Sequence, residues 1–409
     1  MHTMPAMRFV LGNRLLDRAG GTEVHLLTLG LQLRRLGHEV CVYSPELGPF
    51  TEHVREHGLE VVDDLGVLPL ECDVVLSQDT LVVYDLAERY PSAFHVFRVC
   101  GDTYDFQFPP PLYGVVDLIV ALSDRYQRLA RACAVDVPVL RLRVPIDSDR
   151  LAPVASIRVR PRRAVLLGNY PDRDELVRDA WERRGVEVRR IGGSEQRYDI
   201  RRALSDADIV VAKSRAALDA MACGRAVYVY DVFGGDGWVT PSSYAVLESD
   251  HFAGQATDRV IGVAELEADL AGYDPRMGIA NRDLVALHHD PRAHAVQFVN
   301  AVAGSVPAQR HQEPFKELAR LAALQWSSER LARELQRQRE ALIERLRDVE
   351  ERAAEIEQTL AATQASAGRA EALEQQVAQM RATRAWRAAT CYWSARDRLL
   401  TRLGSQGPT

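Results

Sequence analysis

Short apolar runs recur from Met7 to about Ala303, separated by stretches with helical spacing. Met7–Leu11, Val40–Tyr43, Val74–Leu76, Val96–Val99, Leu118–Ala121 and Val139–Leu142 have the length and composition of buried parallel strands. Between the first two, Thr22 is placed to cap a helix whose leucines and valine form a wide stripe from Val24 to Leu36 before Gly37. Further helices are expected at Thr80–Arg89 and Asp124–Ala132. This alternation predicts an α/β unit with one open parallel sheet and helices on both faces. Residues Pro145–Pro161 lack periodicity and mark a boundary. A second series then follows: strands at Ala164–Leu167, Val186–Ile191, Ile209–Ala212 and Ala226–Tyr230, with helices at Asp174–Arg184, Tyr198–Leu204 and Ala216–Ala222. Leu284–Ala303 adds closing helical material. Two nucleotide-type halves joined by a short linker imply a cleft between them.

The pattern changes at Phe315. Leu342, Leu346, Val349, Ala353, Ile356 and Leu360 alternate spacings of four and three, the seam of a coiled coil. Leu335, seven before Leu342, is read as requiring a register stutter near Leu346. Gly368 is expected to interrupt the helix, which resumes through Leu373, Val377 and Met380. From Arg381 to Arg402 six arginines stand against one acid, with Trp386, Tyr392 and Trp393 between them. Such a helix suits either an anionic membrane surface or the packed end of a bundle. The expected divisions are 1–150, 151–308, a coiled coil over 309–380, and a basic aromatic helix and tail over 381–409, with a homo-oligomer formed through 316–380.

Candidate chemistry is densest from Ile209 to Thr240. A strand ends there at Lys213, Ser214 and Arg215, a helix carries Asp219, and a second strand runs into the glycine-rich stretch Phe233–Gly237, read as a loop. Ligands of parallel sheets bind beyond the carboxyl ends of the strands. A cation, a helix N-terminus and the glycines Gly234, Gly235 and Gly237 together suit a diphosphate, and Asp219 is placed to accept bonds from ribose hydroxyls. Gly20 and Gly21 open the first helix but do not form the dinucleotide fingerprint.

Overall composition narrows the partners. A net charge of −6 over 409 residues gives no nucleic-acid footprint. Only Lys213 and Lys316 among the 51 basic residues are lysines, so a lysine at Lys213 stands out. Six cysteines without metal-type spacing, no signal-like N-terminus and no apolar stretch of membrane-spanning length predict a cytoplasmic protein, at most peripheral at the inner membrane face.

Four segments carry a family likeness. RAGGTEVHLLTLGLQLRRLGHEV (Arg18–Val40), VDLIVALSDRYQRL (Val116–Leu129), VPIDSDRLAP (Val144–Pro153) and LDAMACGRAV (Leu218–Val227) resemble, in that order, motifs of GT-B glycosyltransferases of family 4. The resemblance implies two facing Rossmann-like domains, a nucleotide-sugar donor in the second, an acceptor largely in the first, and retaining, metal-independent transfer without a further cofactor. It places Asp219 on the family's second glutamate, which holds the donor ribose, and Gly20 and Gly21 on the loop facing diphosphate and acceptor. The first glutamate is missing: its position falls on Val211, inside a strand. Lys213 or Arg215 would then replace lost diphosphate cations, and Asp231 or Asp236 a lost sugar contact.

Acceptor positioning falls to Cys100–Gly114, where Tyr104, Asp105 and Phe106 offer aromatic faces beside an acid. Asp102, His95 and Asp236 complete the catalytic candidates, with His25 a further one. His288-His289-Asp290 and Asp206-Ala207-Asp208 are weak metal patterns, the second reading more simply as a cap. The expected activity is glycosyl transfer to a glycan, lipid-linked or other hydroxyl acceptor, as in polysaccharide biosynthesis. A GT-B epimerase or hydrolase, and a non-catalytic assembly module, are the alternatives.

Overall fold

The computed structural model describes residues 5–102, 104–110, 113–133, 136–168, 174–192, 199–231, 234–303, 305–307 and 315–404. Two compact units result, residues 1–326 and 327–409.

The first unit holds two Rossmann-like halves. The N-terminal half runs β1 (Arg8–Gly12), β2 (Leu15–Leu16), α1 (Gly21–Arg35), β3 (Glu39–Tyr43), β4 (Glu46–Leu47), α2 (Pro49–Glu56), β5 (Glu60–Val62), β6 (Val74–Ser77), α3 (Thr80–Arg89), β7 (Phe94–Val99), β8 (Leu118–Ala121), α4 (Asp124–Cys133) and β9 (Val139–Arg141). Seven of these strands form one parallel sheet in the order β5-β3-β1-β6-β7-β8-β9. The strand order reverses between β1 and β6, which opens a crevice beyond Gly12 and Ser77.

The second half runs β10 (Arg163–Leu167), α5 (Asp174–Glu182), β11 (Glu187–Ile191), β12 (Ile209–Ala212), α6 (Ser214–Ala222), β13 (Ala226–Asp231), β14 (Gly234–Trp238), α7 (Tyr244–Ser249), α8 (Val263–Leu270), α9 (Arg276–His288) and α10 (Pro291–Ala303). Its sheet is ordered β11-β10-β12-β13-β14, parallel except for the last pair. The helix expected at 198–204 does not form over its described part, since residues 201–206 are turns. The Phe233–Gly237 stretch, expected as a loop, is mostly the antiparallel edge strand β14. The backbone takes positive φ at Gly234 and Gly237, and a Cβ on Gly234 would run into the Gly254 carbonyl. Those glycines serve close packing of strand against loop.

Helix α10 does not stay with its own half. Its Ala295, Phe298, Val299 and Val302 are buried with Phe9, Leu26, Leu29 and Leu33 of the first half, and the Phe298 ring lies 6.2 Å from that of Phe9. Another apolar cluster joins the two halves directly, with Phe97 and Ile119 of the first beside Leu218 and Met221 of the second.

The tail is α11 (Phe315–Ala382) and α12 (Arg384–Gly404). The start of α11 belongs to the first unit: Ala322 and Trp326 are buried in the shared core, with Phe315, Leu318 and Ala319 packed on it. The helix runs unbroken through Gly368, contrary to expectation, because one interior glycine costs only about 1 kcal/mol. The break comes at Thr383 instead. Among the described residues no helix is long and apolar enough to cross a membrane.

Candidate functional site

The carboxyl edges of the two sheets meet across the cleft. From the first half come the N-terminus of α1 and the segments following β6 and β7. From the second come the N-terminus of α6 and the segment following α7. A Cβ on Gly21 would stand 3.9 Å from the Arg215 side chain, so the openings of α1 and α6 face each other. On Gly20 a Cβ would run into the Glu23 carboxylate, which folds back over the start of the helix.

Gln78, fully buried after β6, organises the floor. Its Nε2 donates to the Thr22 carbonyl at 3.1 Å. Its Oε1 accepts from Arg98 at 2.6 Å and faces His25 Nδ1 at 3.1 Å. Arg98 sits near the end of β7, only 2% exposed, and Gln78 is its one hydrogen-bond partner among the described residues. Its Nε is buried without any, and it has no carboxylate within ion-pair distance among them. Burial pulls its pKa from 12.5 down to about 10, so it stays charged at neutral pH. A buried guanidinium held by one neutral amide carries a large desolvation cost that a bound anion would offset.

Arg215 is the matching cation of the second half. It is buried, stands 3.6 Å from Asp219, and donates to the Pro145 carbonyl at 3.4 Å. Asp219 Oδ1 is buried without a hydrogen-bond partner. Arg98 and Arg215 each bear on the histidines around them. His25 is held well below its ordinary pKa by burial and then by Arg98, His294 and Arg215. Burial and the same two arginines push His251 to about 3. His289 falls to about 3 and His294 to about 4, mainly through burial. Neutral imidazoles therefore accompany the two guanidinium groups, with Asp219 the carboxylate beside Arg215.

Backbone strain gathers at the same place. Ser214, His251 and Phe252 have φ of 51°, 59° and 53°, and the Ser214 amide donates to the Phe252 carbonyl at 2.9 Å. Left-handed non-glycine residues cost of order 1–3 kcal/mol each and persist where surrounding structure fixes them. Here the His251 and Phe252 amides donate to the Glu248 and Leu247 carbonyls of α7, and a few residues on the Asp236 carboxylate accepts from the amides of Ala256 and Thr257 and from the Thr257 hydroxyl.

Gly20, Gly21, Lys213, Ser214, Arg215 and Asp219 thus come together at the cleft, with Lys213 as the N-cap of α6. Asp236, Gly234, Gly235 and Gly237 do not join them. They belong to β14 and hold the strained 251–257 segment from behind, because Gly234 and Gly235 pack on Gly254 and Ile261 and the Asp236 oxygens are engaged. His95 lies at the amino end of β7, its Nε2 against the Tyr90 carbonyl at 2.9 Å, the wrong end of the strand for the cleft. Asp102 pairs with Arg125 at 2.6 Å, and Arg125 continues to Asp250 of the second half at 3.0 Å, a clamp between halves. Arg141 does likewise with Glu248.

In the expected acceptor segment Tyr104 stacks on Phe106 at 5.5 Å, and Phe106 meets Trp326 of α11 edge-on. The Trp326 indole donates to Glu46 at 2.8 Å, and Arg14 lies over its ring. The side chains of Asp105 and Asp231 lie outside the described residues. His289 is engaged by Tyr244 and the Val144 carbonyl, and Asp206 and Asp208 by arginines, so neither metal pattern is assembled.

Sequence reasoning missed Arg98, Gln78, His251 and Glu23. Arg98 had a signal, a lone charge inside the apolar run Phe94–Val99. Glu23, half-buried, accepts from Thr22 at 2.7 Å, and burial, with Asp79 and Asp17 nearby, raises it to about 7.

No family model matches the chain, and no curated protein does. Solved structures are similar in the course of the chain. Alr3699/HepE of Anabaena in complex with UDP is 13% identical, covering 73% of this chain and 100% of its own, with a TM-score of 0.48. The pneumococcal O-GlcNAc transferase GtfA with UDP and GlcNAc is 9% identical, covering 73% and 99%, with a TM-score of 0.49. A glycosyltransferase from Rickettsia africae is 11% identical, covering 74% and 99%, with a TM-score of 0.47.

Proposed function

We propose that the chain is a nucleotide-sugar glycosyltransferase whose donor diphosphate binds between Arg98 and Arg215. The observation that carries this reading is Arg98: a buried cation whose side chain is held, among the described residues, by one amide, facing a second cation across the carboxyl edges of two Rossmann-like sheets. Two guanidinium groups and the N-terminus of α6, with Lys213 beside it, would take the charge that develops on the departing diphosphate. That is the work a metal performs elsewhere, so the reading invokes no metal or cofactor. Asp219 would hold the ribose. Glu23, with its raised pKa, is the carboxyl best suited to exchange a proton with an acceptor hydroxyl near neutral pH. The Tyr104–Phe106 pair offers a flat apolar face for a sugar or lipid-linked acceptor. Retention at the anomeric carbon belongs to the same reading, through the family resemblance alone.

A second reading is an assembly module without catalysis. It is favoured by Val211, buried in β12 where the resemblance would have a glutamate. In either case we propose self-association through 316–380, contact of the basic aromatic helix with an anionic membrane surface, and a cytoplasmic site of action. A panel of nucleotide-sugars, read by thermal stabilisation and by release of nucleoside diphosphate, separates the two. Stabilisation with turnover supports the transferase. A flat panel, or donor affinity unchanged in Lys213→Ala and Arg215→Ala, rejects it.

A further inference from the structure

The exposed face of α11 says more than that the helix needs a partner. Leu342, Leu346, Val349, Ile356 and Leu360 are between 56% and 68% exposed along a helix of 68 residues. In heptads with Leu346, Ala353 and Leu360 at a, the d positions are Leu335, Leu342, Val349 and Ile356. Leu335 falls into this frame directly, so the stutter expected from spacing is not needed, but the a position between Leu335 and Leu342 is Arg339 and the apolar seam is continuous only from Leu342. The same frame places Arg345 and Arg352 at g, and Glu350 and Glu357 at e. All four side chains are exposed, and none makes an ion pair among the described residues.

In a parallel pair of helices each g residue lies beside the e residue five positions on in its partner. Arg345 then meets Glu350 of a second copy, and Arg352 meets Glu357, twice over by symmetry. In an antiparallel pair g faces g and e faces e, so arginine would meet arginine and glutamate would meet glutamate. We infer that α11 associates with a second copy of this chain in parallel and in register over Leu342–Leu360. This rests on the self-association proposed above and adds its direction and its alignment.

The test uses the full-length chain with the exposed Cys133 and Cys391 changed to serine. Leu342→Cys and Ile356→Cys are made separately, each at a d position. Parallel, in-register helices bring both cysteines opposite their own copies, so each variant forms a disulfide-linked dimer under mild oxidation. Antiparallel helices can juxtapose a residue with itself at one level only, so cross-linking at one site or neither, in a protein of multimeric mass, overturns the alignment. A monomeric mass at micromolar concentration overturns self-association itself. As a second arm, Arg345→Glu with Arg352→Glu turns the paired charges into repulsion and should weaken association at least about tenfold in sedimentation equilibrium. Adding Glu350→Arg and Glu357→Arg should restore it. An unchanged affinity in the first pair would remove the charge argument.

Discussion

Replacing Arg98 by methionine should move two measurements in opposite directions. The fall of its pKa from 12.5 to about 10 corresponds to about 3 kcal/mol against the charged form in the folded, ligand-free protein. Methionine removes that penalty and fills much of the same volume. The substitution loses one charge-assisted bond to Gln78, worth about 1.5–3 kcal/mol, while Gln78 keeps His25 and the Thr22 carbonyl. The net effect on the ligand-free protein is between neutral and about 1–2 kcal/mol stabilising, a melting temperature level with the parent or a few degrees above it. The same change should abolish stabilisation by whichever of UDP, GDP or ADP stabilises the parent, because the central phosphate cation is gone. Differential scanning fluorimetry with and without nucleotide reads both quantities in one experiment. A variant that melts several degrees below the parent and keeps its nucleotide response would refute the assignment of Arg98 to a ligand.

Three further outcomes follow from geometry already described. Because Glu23 titrates near 7 when folded against an ordinary 4.5, its stabilising contribution is full below about 4.5 and is lost as pH rises towards 7; Glu23→Gln should flatten the melting temperature over that interval, and an unaltered pH slope would count against it. Gly234→Ala drives a Cβ into the Gly254 carbonyl at a positive φ, and should cost about 2 kcal/mol or more in chemical denaturation and weaken nucleotide stabilisation by loosening the 251–257 segment. Trp326→Ala removes a buried indole with its bond to Glu46 and its contact with Phe106, and should cost about 3–5 kcal/mol and open residues 104–107 to limited proteolysis.

Most strands of both sheets were legible to within a residue or two, because a buried parallel strand is little more than a short apolar run; the three-residue edge strand β5 was too short to stand out. β14 was not, since Gly-Gly-Asp-Gly carries neither alternation nor β-branched residues and pairs only because Asp236 and Gly254 secure what lies behind it. The facing of Gly21 and Arg215 was legible from motif order. Their company was less so: nothing local announces that His251 will adopt a strained turn under Ser214, because that depends on α7 and β14 both being in place. Sequence spacing likewise proposed His95 without revealing which end of its strand faces the cleft. The compact unit runs on past 309 to Trp326, which looks like one more helical residue until Phe106 is seen beside it.

The return of α10 to the first half has a consequence for how the chain is made. The core around Phe9 and Leu26 is closed by Phe298, Val299 and Val302, so the half synthesised before the other is also the last to be finished. While the second half is being synthesised, the face of α1 that α10 will cover stays open to solvent. Contacts of such long sequence separation slow folding and leave apolar surface exposed to association. A fragment ending near residue 150 should therefore aggregate, whereas supplying the α10 segment should rescue it. For this protein, division into halves describes the finished architecture and not the order of assembly.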